Sequence, residues 1–343
     1  MATLKNITHS IEKLYEHPAK IMVLVDLENL HILDAIMKSK SSLQVIYILT
    51  DSPEVRLRFK YGSKIYPTRI NIRSLLRHDV VDAILCCVND IPDKQSKDII
   101  SICRQFGVSL MIANCTSFMH LKIHKTKTIG NHLVHILETS PRNSFNYMLK
   151  SILEFAFAII ALLLMSPVLL LIAAAIKLTS KGPLIFKQMR VGLRGRKFYI
   201  YKFRTMVANA EQLKASLKDL NEADGPAFKI KNDPRITPIG RILRKTAMDE
   251  LPQLFNIIGG DMSLIGPRPL LPNEAAEHED WHLKRLSIKP GITCTWQIIP
   301  ERNSVPFDEW MRLDNHYVDN WSFLYDIKIF FGTIHSFLKA KGI

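Results

Sequence analysis

One long apolar run constrains the fold of this chain more than any other feature. Phe155 to Ile176 reads FAFAIIALLLMSPVLLLIAAAI and contains no charged residue. As one straight helix, with ~1.5 Å of rise per residue, the run would reach ~33 Å and could cross a bilayer. Ser166-Pro167 lies at its centre, where the proline removes a backbone donor and the serine hydroxyl can bond the freed carbonyl. The sequence therefore predicts a membrane segment with a central kink.

Positive charge on both sides of this run bears on its topology. Arg142 and Lys150 precede the run, and several cations follow between Lys177 and Arg196. Positive residues at both ends leave no asymmetry that would orient a crossing helix, and they favour two half-helices that enter and leave on the cytoplasmic side. A kinked transmembrane helix is the alternative.

The overall charge narrows the class of partner. A net charge of +14 implies an anionic partner. Long Lys/Arg tracts and nucleic-acid-binding motifs are lacking, so a lipid surface with a phosphate-bearing substrate is favoured over nucleic acid. Five cysteines without framework spacing predict reduced thiols in a cytosolic setting. The polar N-terminus has no apolar core of a signal peptide, so we expect none.

Residues 1–140 predict a Rossmann-like α/β domain with a parallel sheet. Short apolar runs alternate there with segments of helical length. The runs are Lys20–Val25, Gln44–Leu49, Ala83–Val88 and Val108–Ala113. After the first run, residues 26–30 read DLENL and contain no glycine for a phosphate-binding turn. A regulatory or structural role is therefore predicted. The stretch from His120 to His135, rich in histidine and lysine, predicts a solvated linker rather than a metal site.

An acidic pair in a basic setting is the main candidate for chemistry. Asp249-Glu250 follows Arg241, Arg244 and Lys245, which predict one cationic ridge on a short helix over 239–245. The next helix should be capped by the threonine at 246 or by the aspartate itself, so that both acids lie at its N-terminus, which favours anions. The alternative is an ordinary solvated helix start.

Three further segments suit a phosphate or membrane site. Pro269 restricts Arg268 to extended geometry, and arginine suits bidentate phosphate contacts. Strand alternation over residues 198–206 places Lys202 and Arg204 on one face, which would bind phosphate or headgroups or else face solvent. The aromatic and basic segment 321–343 predicts a helix in the membrane interface or a helix packed in the core.

Taken together, these segments resemble the bacterial sugar transferases, monotopic phosphoglycosyl transferases that start polysaccharide or glycan assembly on polyprenyl phosphate. The resemblance covers roughly residues 146–342. Beside the Ser166-Pro167 break, it includes KLTSKGPLIFKQMRVG (Lys177 to Gly192), YKFRTM (Tyr201 to Met206), KNDPRIT, RKTAMDELPQL, GDMSLIGPRP, KPGIT (Lys289 to Thr293) and FDEWMRLDNHYVDNWSFLYDIKI.

Together with the pattern of residues 1–140, the resemblance predicts a three-part α/β protein. Residues 1–140 form the Rossmann-like domain, 141–180 a linker and re-entrant membrane helix, and 181–343 a mainly helical, membrane-associated catalytic domain. The family lies on the cytoplasmic face of the bacterial inner membrane among phospholipids, and the resemblance leaves a homo-oligomer open.

The resemblance also implies a reaction. Asp249 matches the nucleophile that attacks a UDP-sugar, releases UMP and forms a phosphosugar-aspartyl intermediate, and Glu250 matches the acid that binds Mg²⁺. Polyprenyl (undecaprenyl) phosphate then accepts the phosphosugar. Lys202, Arg204 and Arg268 match positions for phosphate or headgroup binding, and the ridge of Arg241 and Arg244 is expected to bind substrate as well. A non-catalytic membrane regulator and a direct glycosyl transferase that releases UDP are the alternatives.

Two departures from the family pattern concern the membrane helix and the sugar. Leu153-Glu154 stands where many members have Phe-Asp, which keeps the acid but changes its reach. Residues 299–302 read IPER where a Ser-Gly-Arg is typical, so the sugar is not predicted by analogy.

Overall fold

The structure of this chain is a computed structural model, and it falls into two compact units. It describes residues 19–38, 43–59, 62–118, 125–129, 132–137, 141, 145–214, 216, 230, 233–276, 279–299 and 305–339. The first unit comprises Met1–Asn143 with Glu279–Ser287, and the second comprises Ser144–His278 with Ile288–Ile343. His120, His124 and residues 300–302, on which predictions were made, lie outside the described residues.

The first unit contains a seven-stranded sheet in the order β3-β2-β1-β4-β5-β7-β6. The strands from β3 to β5 in this order are parallel, whereas β7 is antiparallel to both of its neighbours. The strands are β1 (Ala19–Val25), β2 (Leu43–Leu49), β3 (Lys64–Tyr66), β4 (Ala83–Cys87), β5 (Ser109–Ile112), β6 (Lys125–Ile129) and β7 (His132–Leu137). The helices between them are α1 (Leu30–Lys38), α2 (Pro53–Arg58), α3 (Ile72–His78) and α4 (Asp93–Phe106).

Both faces of this sheet are buried, as continuous apolar runs predict. Along β1, Met22 and Leu24 belong to one apolar cluster, and Ile21, Val23 and Val25 belong to another. All five cysteines are buried and none forms a disulfide. The predicted α/β class is confirmed, with the correction that the sheet is mixed rather than parallel.

The predicted linker over residues 120–135 is wrong for its described part, because β6 and β7 form a hairpin there. In β7, Val134 and Ile136 are buried while Leu133 is exposed, the alternation of a half-buried strand. In the neighbouring strand, Lys125 and Lys127 are exposed at the end of the sheet order. Lysines on an edge strand prevent pairing with other chains, and the same charges made the sequence look like a linker.

Polar side chains cover the carboxyl ends of β1, β4 and β5. The Asp26 carboxylate accepts hydrogen bonds from the backbone amides of Asn29 and Asn89, at 2.9 and 3.2 Å. The buried Asn29 side chain bonds Asn89 at 2.9 Å and Asn114 at 3.1 Å. These side chains bond one another at the edge where doubly wound domains bind ligands.

The segment Glu279–Ser287 belongs to the first unit although its chain neighbours belong to the second. Asp280 accepts hydrogen bonds from Arg77 at 2.7 Å and from Arg73 at 3.4 Å, and Leu283 is part of an apolar core cluster of that unit. Gly107 ends α4 with a φ of 61°, and a Cβ there would lie 2.2 Å from that of Ser287. No sequence pattern predicted this association.

In the second unit, the apolar run forms one continuous helix, α5 (Phe145–Thr179), with Pro167 inside it. The Ser166 hydroxyl donates to the Leu163 carbonyl at 2.8 Å, the carbonyl that Pro167 leaves without an amide partner. This bond confirms the predicted role of the serine. Leucines in the middle of the helix are largely exposed, such as Leu164 at 75% and Leu170 at 71%. Among the described residues, only this helix is long and apolar enough to cross a membrane, judged by length and composition.

The rest of the second unit is mainly helical and packs around α5. Its strands are β8 (Ile185–Val191) and β9 (Lys197–Phe203), which pair antiparallel, and β10 (Ser263–Ile265) and β11 (Gly291–Thr293), which pair parallel. Its further helices are α6 (Ala210–Lys214), α7 (Pro238–Lys245), α8 (Leu254–Ile258), α9 (Pro272–Ala276), α10 (Phe307–Asp319) and α11 (Phe323–Lys339).

A buried lysine near the start of α5 joins several of these elements. Lys150 is 2% exposed, and its ammonium donates to the Ile265 carbonyl at 2.8 Å, the Tyr317 hydroxyl at 3.0 Å and the Asp326 carboxylate at 2.8 Å. Glu154, one turn later in α5, lies 3.3 Å from the same ammonium. These contacts fasten α5 to β10, α10 and α11.

The C-terminal helix shows features of both predicted alternatives, a helix packed in the core and a helix with an apolar face for the membrane interface. Asp326 and Ile329 are buried on one side of α11. Four apolar side chains at heptad-like spacing are exposed: Leu324, Ile327, Phe331 and Ile334. The helix therefore packs in the core with one face and presents an apolar stripe with another.

Candidate active site

The acidic pair lies in the first turn of a short 3₁₀ helix, Met248–Gln253, which leads into α8. Neither predicted cap is used. Ala247 is the N-cap residue with a φ of 52°, and the Thr246 hydroxyl instead bonds the Ile242 carbonyl at 2.9 Å, within α7. A non-glycine residue in the left-handed region is strained, and such strain is concentrated at functional sites. The prediction that both acids begin a helical segment is nevertheless correct.

Strand β9 lies beside this segment because of one buried amide. The Asn256 side chain, in α8, donates to the Tyr199 carbonyl at 2.7 Å and accepts from the Tyr201 amide at 3.1 Å. These two bonds fix α8 against the backbone of β9. Lys202, the next residue of β9, thereby reaches Glu250, with 2.6 Å between the Nζ and Oε1 atoms.

The two acids differ in their protonation behaviour. Burial raises the pKa of Asp249 to about 6; the Glu250 charge adds to the effect, while Lys202 and Arg244 oppose it. Burial also acts to raise the pKa of Glu250. There, the ion pair with Lys202, the charge of Arg268 and a hydrogen bond from Gln253 outweigh it and hold the pKa below its ordinary value. Asp249 is only 8% exposed, so it is a poorly solvated carboxylate beside a well-paired one.

The loop that carries Arg268 is fixed by close backbone contacts with β11. The Gly266 amide donates to the Thr293 carbonyl at 3.0 Å, and the Gly291 amide donates to the Pro267 carbonyl at 2.9 Å. A Cβ at Gly291 would lie 2.1 Å from the Gly266 nitrogen, so the two chain segments require glycine at this crossing. The GPRP and KPGIT motifs are therefore one structural unit.

Arg268 shares a small cavity with Glu250 and Lys202, whereas Asp249 is not among the residues that line it. Its guanidinium lies 5.8 Å from the centre of the Trp296 ring, which stacks on Trp310 at 4.7 Å. The cavity is lined by Arg190, Ile200, Lys202, Glu250, Gln253, Arg268, Pro269, Gly291, Ile292 and Gln297. Three cations and one carboxylate on its wall suit an anionic group.

The other predicted cations occupy different places. Arg244 is on α7, where its Nε donates to the Thr205 hydroxyl at 2.9 Å, and its charge acts on Asp249. Arg241 is exposed on the same helix. Arg204 is 5% exposed, and its Nη2 donates to the carbonyl and hydroxyl oxygens of Ser180 at 2.9 and 2.8 Å. These two bonds hold the turn after α5 rather than an acid of the pair.

The donor set fits a magnesium ion that is shared with a substrate. No group of three or more His, Cys, Asp or Glu side chains that could hold a metal occurs within the described ranges. Mg²⁺ is commonly held by only one or two carboxylates together with substrate phosphates and water. Asp249 and Glu250 supply two adjacent carboxylates, and Glu250 would exchange part of its ion pair with Lys202 for the metal.

Comparison with known proteins connects this geometry to a family. Residues 145–340, more than half of the chain, match the family model described as bacterial sugar transferase. The chain belongs to the bacterial sugar transferase family. The matched region contains α5, the acidic pair, Lys202 and the Arg268 loop, and the resemblance inferred from the sequence motifs is confirmed.

Individual sugar transferases are similar over a large part of the chain. A galactosyl transferase, CpsE, of Streptococcus agalactiae is 36% identical over 289 residues, which cover 81% of this chain and 64% of the relative. An undecaprenyl-phosphate galactose phosphotransferase of Salmonella typhimurium is 40% identical over 66% of this chain and 49% of its own length. A UDP-galactose-lipid carrier transferase of Erwinia amylovora is 39% identical over 62% of this chain and 46% of its own length. The chain thus spans about half to two thirds of the length of these relatives.

Sequence reasoning missed two kinds of site residue. Gln253 and Asn256 follow the acidic pair in the same helical segment, and a polar residue at each turn of an otherwise apolar stretch was an available signal. Arg190 was counted only as a flanking charge of the membrane run, although it lies in the cavity wall. Only the tertiary pairing of β8 with residue 270 brings it there.

Proposed function

We propose that this chain transfers a sugar phosphate from a UDP-sugar to polyprenyl phosphate at the cytoplasmic surface of the bacterial inner membrane. The observation that carries the proposal is the buried Asp249 beside Glu250, inside the region that matches the sugar transferase family. Lys202 pairs with Glu250, and the charge of Arg268 also acts on Glu250. Relatives named for galactose phosphate transfer to undecaprenyl phosphate, and for UDP-galactose, support this choice of acceptor and donor.

The first half-reaction uses Asp249 as the nucleophile. A carboxylate oxygen attacks the β-phosphorus of the UDP-sugar, the bond from that phosphorus to the bridging oxygen breaks, and UMP leaves with the electron pair. A phosphosugar-aspartyl intermediate remains. With a pKa of about 6, Asp249 is mostly ionised at neutral pH, and its burial keeps it poorly hydrated and therefore reactive.

Positive groups make this attack feasible. Lys202 and Arg268 can bind the phosphate oxygens and oppose the repulsion between a carboxylate and a diphosphate. Mg²⁺, held by Glu250 and Asp249 with the substrate phosphates, would supply further charge neutralisation. Arg244, whose charge acts on Asp249, partly offsets the rise in its pKa and so favours the ionised carboxylate.

In the second half-reaction, an oxygen of polyprenyl phosphate attacks the same phosphorus. The bond from phosphorus to the Asp249 oxygen breaks, the carboxylate is regenerated, and polyprenyl-diphosphate-sugar is released. The acceptor is a lipid, so the site must lie at a membrane surface. The exposed leucines of α5 and the apolar stripe on α11 provide surfaces that can enter lipid.

We infer a re-entrant topology for α5, because both of its flanks are basic and Pro167 is central. Cysteines introduced one at a time at positions 145 and 180 should both react with a membrane-impermeant thiol reagent only from the cytoplasmic side. Labelling of the two positions from opposite sides would overturn the re-entrant arrangement in favour of a kinked crossing helix.

A release assay tests the chemistry. The full chain in membranes, with Mg²⁺, polyprenyl phosphate and a panel of UDP-sugars, is expected to release UMP with at least one donor. Without acceptor, about one UMP per chain should appear, and intact-mass analysis should show the added phosphosugar. Asp249→Asn should abolish both, whereas Asp98→Asn, an exposed acid of the first unit, should not.

Three outcomes would contradict the proposal. UMP release by Asp249→Asn at the wild-type rate would exclude the aspartyl step. Release of UDP instead of UMP would indicate a direct glycosyl transferase. A wild-type chain without turnover on the whole panel, which binds a partner transferase, would indicate a regulator.

A further inference from the structure

Arg190 occupies a fixed position in the wall of the cavity. It is the next-to-last residue of β8, and the amide of the following Val191 donates to the Leu270 carbonyl at 2.8 Å. Its side chain is 9% exposed, and its Nη1 donates to the Pro269 carbonyl at 3.2 Å. Arg190 therefore contacts the same loop that carries Arg268.

The side chains that line this cavity include three cations and one carboxylate. Lys202 and Glu250 form an ion pair at 2.6 Å and largely neutralise each other. The guanidinium groups of Arg190 and Arg268 remain on the same wall. Outside this wall, the Glu274 carboxylate lies 4.0 Å from the Arg190 Nη1 atom, which is an ion pair but too far for a hydrogen bond.

The environment of Arg190 reflects this excess of positive charge. Burial and, to a smaller extent, the like charge of Arg268 lower its pKa to about 10, against the opposing effects of Glu274 and Glu250. Burial of the Arg190 charge, with the more exposed Arg268 guanidinium on the same cavity wall, is costly unless an anion neutralises it. Such an arrangement is typical of a site that is complementary to a charged substrate.

Arg190 also has hydrogen-bonding capacity left. A guanidinium has five N–H donors. Nη1 donates to Pro269, and Nη2 donates to the Gln188 side chain at 2.7 Å. The buried Nε has no hydrogen-bond partner among the described residues. The cavity is large enough to admit a water-sized group such as a phosphoryl oxygen.

We propose that Arg190 binds a phosphoryl group of the donor diphosphate together with Arg268, while its bond to the Pro269 carbonyl holds the loop that presents Arg268. The identity of the diphosphate as that of a UDP-sugar rests on the proposed function. The paired arginines themselves require only an anionic phosphoryl ligand.

Calorimetric titration of the full chain with UDP tests this inference without turnover. Arg190→Gln should weaken UDP binding roughly tenfold to a hundredfold, as expected for loss of a charged hydrogen-bonding partner. Arg190→Lys keeps the positive charge but lacks the forked N–H donors of the guanidinium, so its loss of UDP affinity should be smaller. Arg312→Gln, an exposed arginine of α10, should bind UDP like the wild type. Circular dichroism and thermal unfolding verify that each variant is folded, and Arg190→Lys carries the test if Arg190→Gln is not.

Combination with Arg268→Gln separates binding from positioning. If Arg190 contacts the phosphoryl group itself, Arg190→Gln should weaken UDP binding further in a chain that already carries Arg268→Gln. If it acts only by holding Arg268, the double variant should bind like Arg268→Gln alone, and the direct contact would be excluded. Unchanged affinity in Arg190→Gln would overturn the inference completely.

These outcomes are independent of the proposed reaction. A wild-type chain that releases no UMP, yet binds UDP in a manner that depends on Arg190, would contradict the transferase proposal and leave the arginine pair standing. UMP release by the wild type, together with an unchanged UDP affinity in Arg190→Gln, would support the transferase proposal and contradict the role of Arg190.

Discussion

Replacement of Lys150 by methionine should destabilise the second unit strongly. The change removes the one cation that Glu154 and Asp326 share, and it leaves both buried carboxylates without their charged partner. Removal of one member of a buried ion pair costs about 3–5 kcal/mol. In a domain of this size, each kcal/mol lowers the unfolding midpoint by roughly 2–4 °C, so the expected loss is about 6–20 °C.

A tryptophan next to this cluster reports on it directly. The Trp321 indole donates to the Asp326 carboxylate at 3.0 Å, and its ring lies 5.1 Å from that of Tyr147. Thermal unfolding in detergent, followed by tryptophan fluorescence, should show the lowered midpoint and a local red shift below it. Lys177→Met, at an exposed lysine near the other end of the same helix, should change the midpoint by at most about 1–2 °C, as is usual for exposed positions.

Two results would refute this reasoning. A Lys150→Met midpoint within the range of Lys177→Met would show that the cluster does not hold the helix. The double variant Lys150→Met/Asp326→Asn should lose less than the two single variants combined, because it no longer leaves that carboxylate unpaired. Additive losses would contradict the shared role of the two residues.

Three shorter predictions concern pH and packing. Because the pKa of Asp249 is raised to about 6, single-turnover UMP release should fall as pH drops through about 6. Added Mg²⁺ should lower the pH midpoint of this fall. A rate independent of pH between 5 and 8 would contradict the assignment of Asp249 as the nucleophile. The ion pair with Arg235 lowers the pKa of Asp233, so its stabilisation is complete above the unfolded pKa and is lost as pH falls through the lower folded one. Thermal unfolding of Asp233→Asn and wild type should therefore differ at pH 7 and converge in acid, whereas a constant difference would exclude this linkage. Gly240→Ala should lower the unfolding midpoint far more than Gly259→Ala. A Cβ at position 240 would lie 2.1 Å from a backbone oxygen, whereas a Cβ at position 259 would lie no closer than 3.3 Å to any atom. Equal midpoints for the two variants would show that α7 can shift to accommodate the added carbon.

Features with a local cause were predictable from the sequence. The strands β1, β2, β4 and β5 follow from short apolar runs, and the hydroxyl bond of Ser166 follows from the amide that Pro167 lacks. Helix α7 begins at a proline after a capping threonine, Thr237, and its extent was predicted within one residue. In each case, the cause lies within a few residues of the effect.

Features that depend on distant partners were not predictable. Lys202 and Arg204 are two apart in sequence, but Asn256 turns the first toward Glu250, whereas the second is buried against Ser180. Strand alternation cannot distinguish these two fates. Arg190 likewise gained its position from a backbone pairing 79 residues away, and the cap at position 247 has no side-chain signal at all.

The segment Glu279–Ser287 has a consequence for how such genes can change. Since it counts with the first unit while the chain on either side counts with the second, a recombination that exchanged only the front of the gene would leave it behind. Leu283 and Asp280 would then have to pack against a first unit from a different gene, with which they did not evolve. A new front module can succeed only if this short segment changes as well. The two units are therefore expected to be inherited together. If so, the residues at positions 280 and 283 should covary with those on the surfaces of α3 and α4.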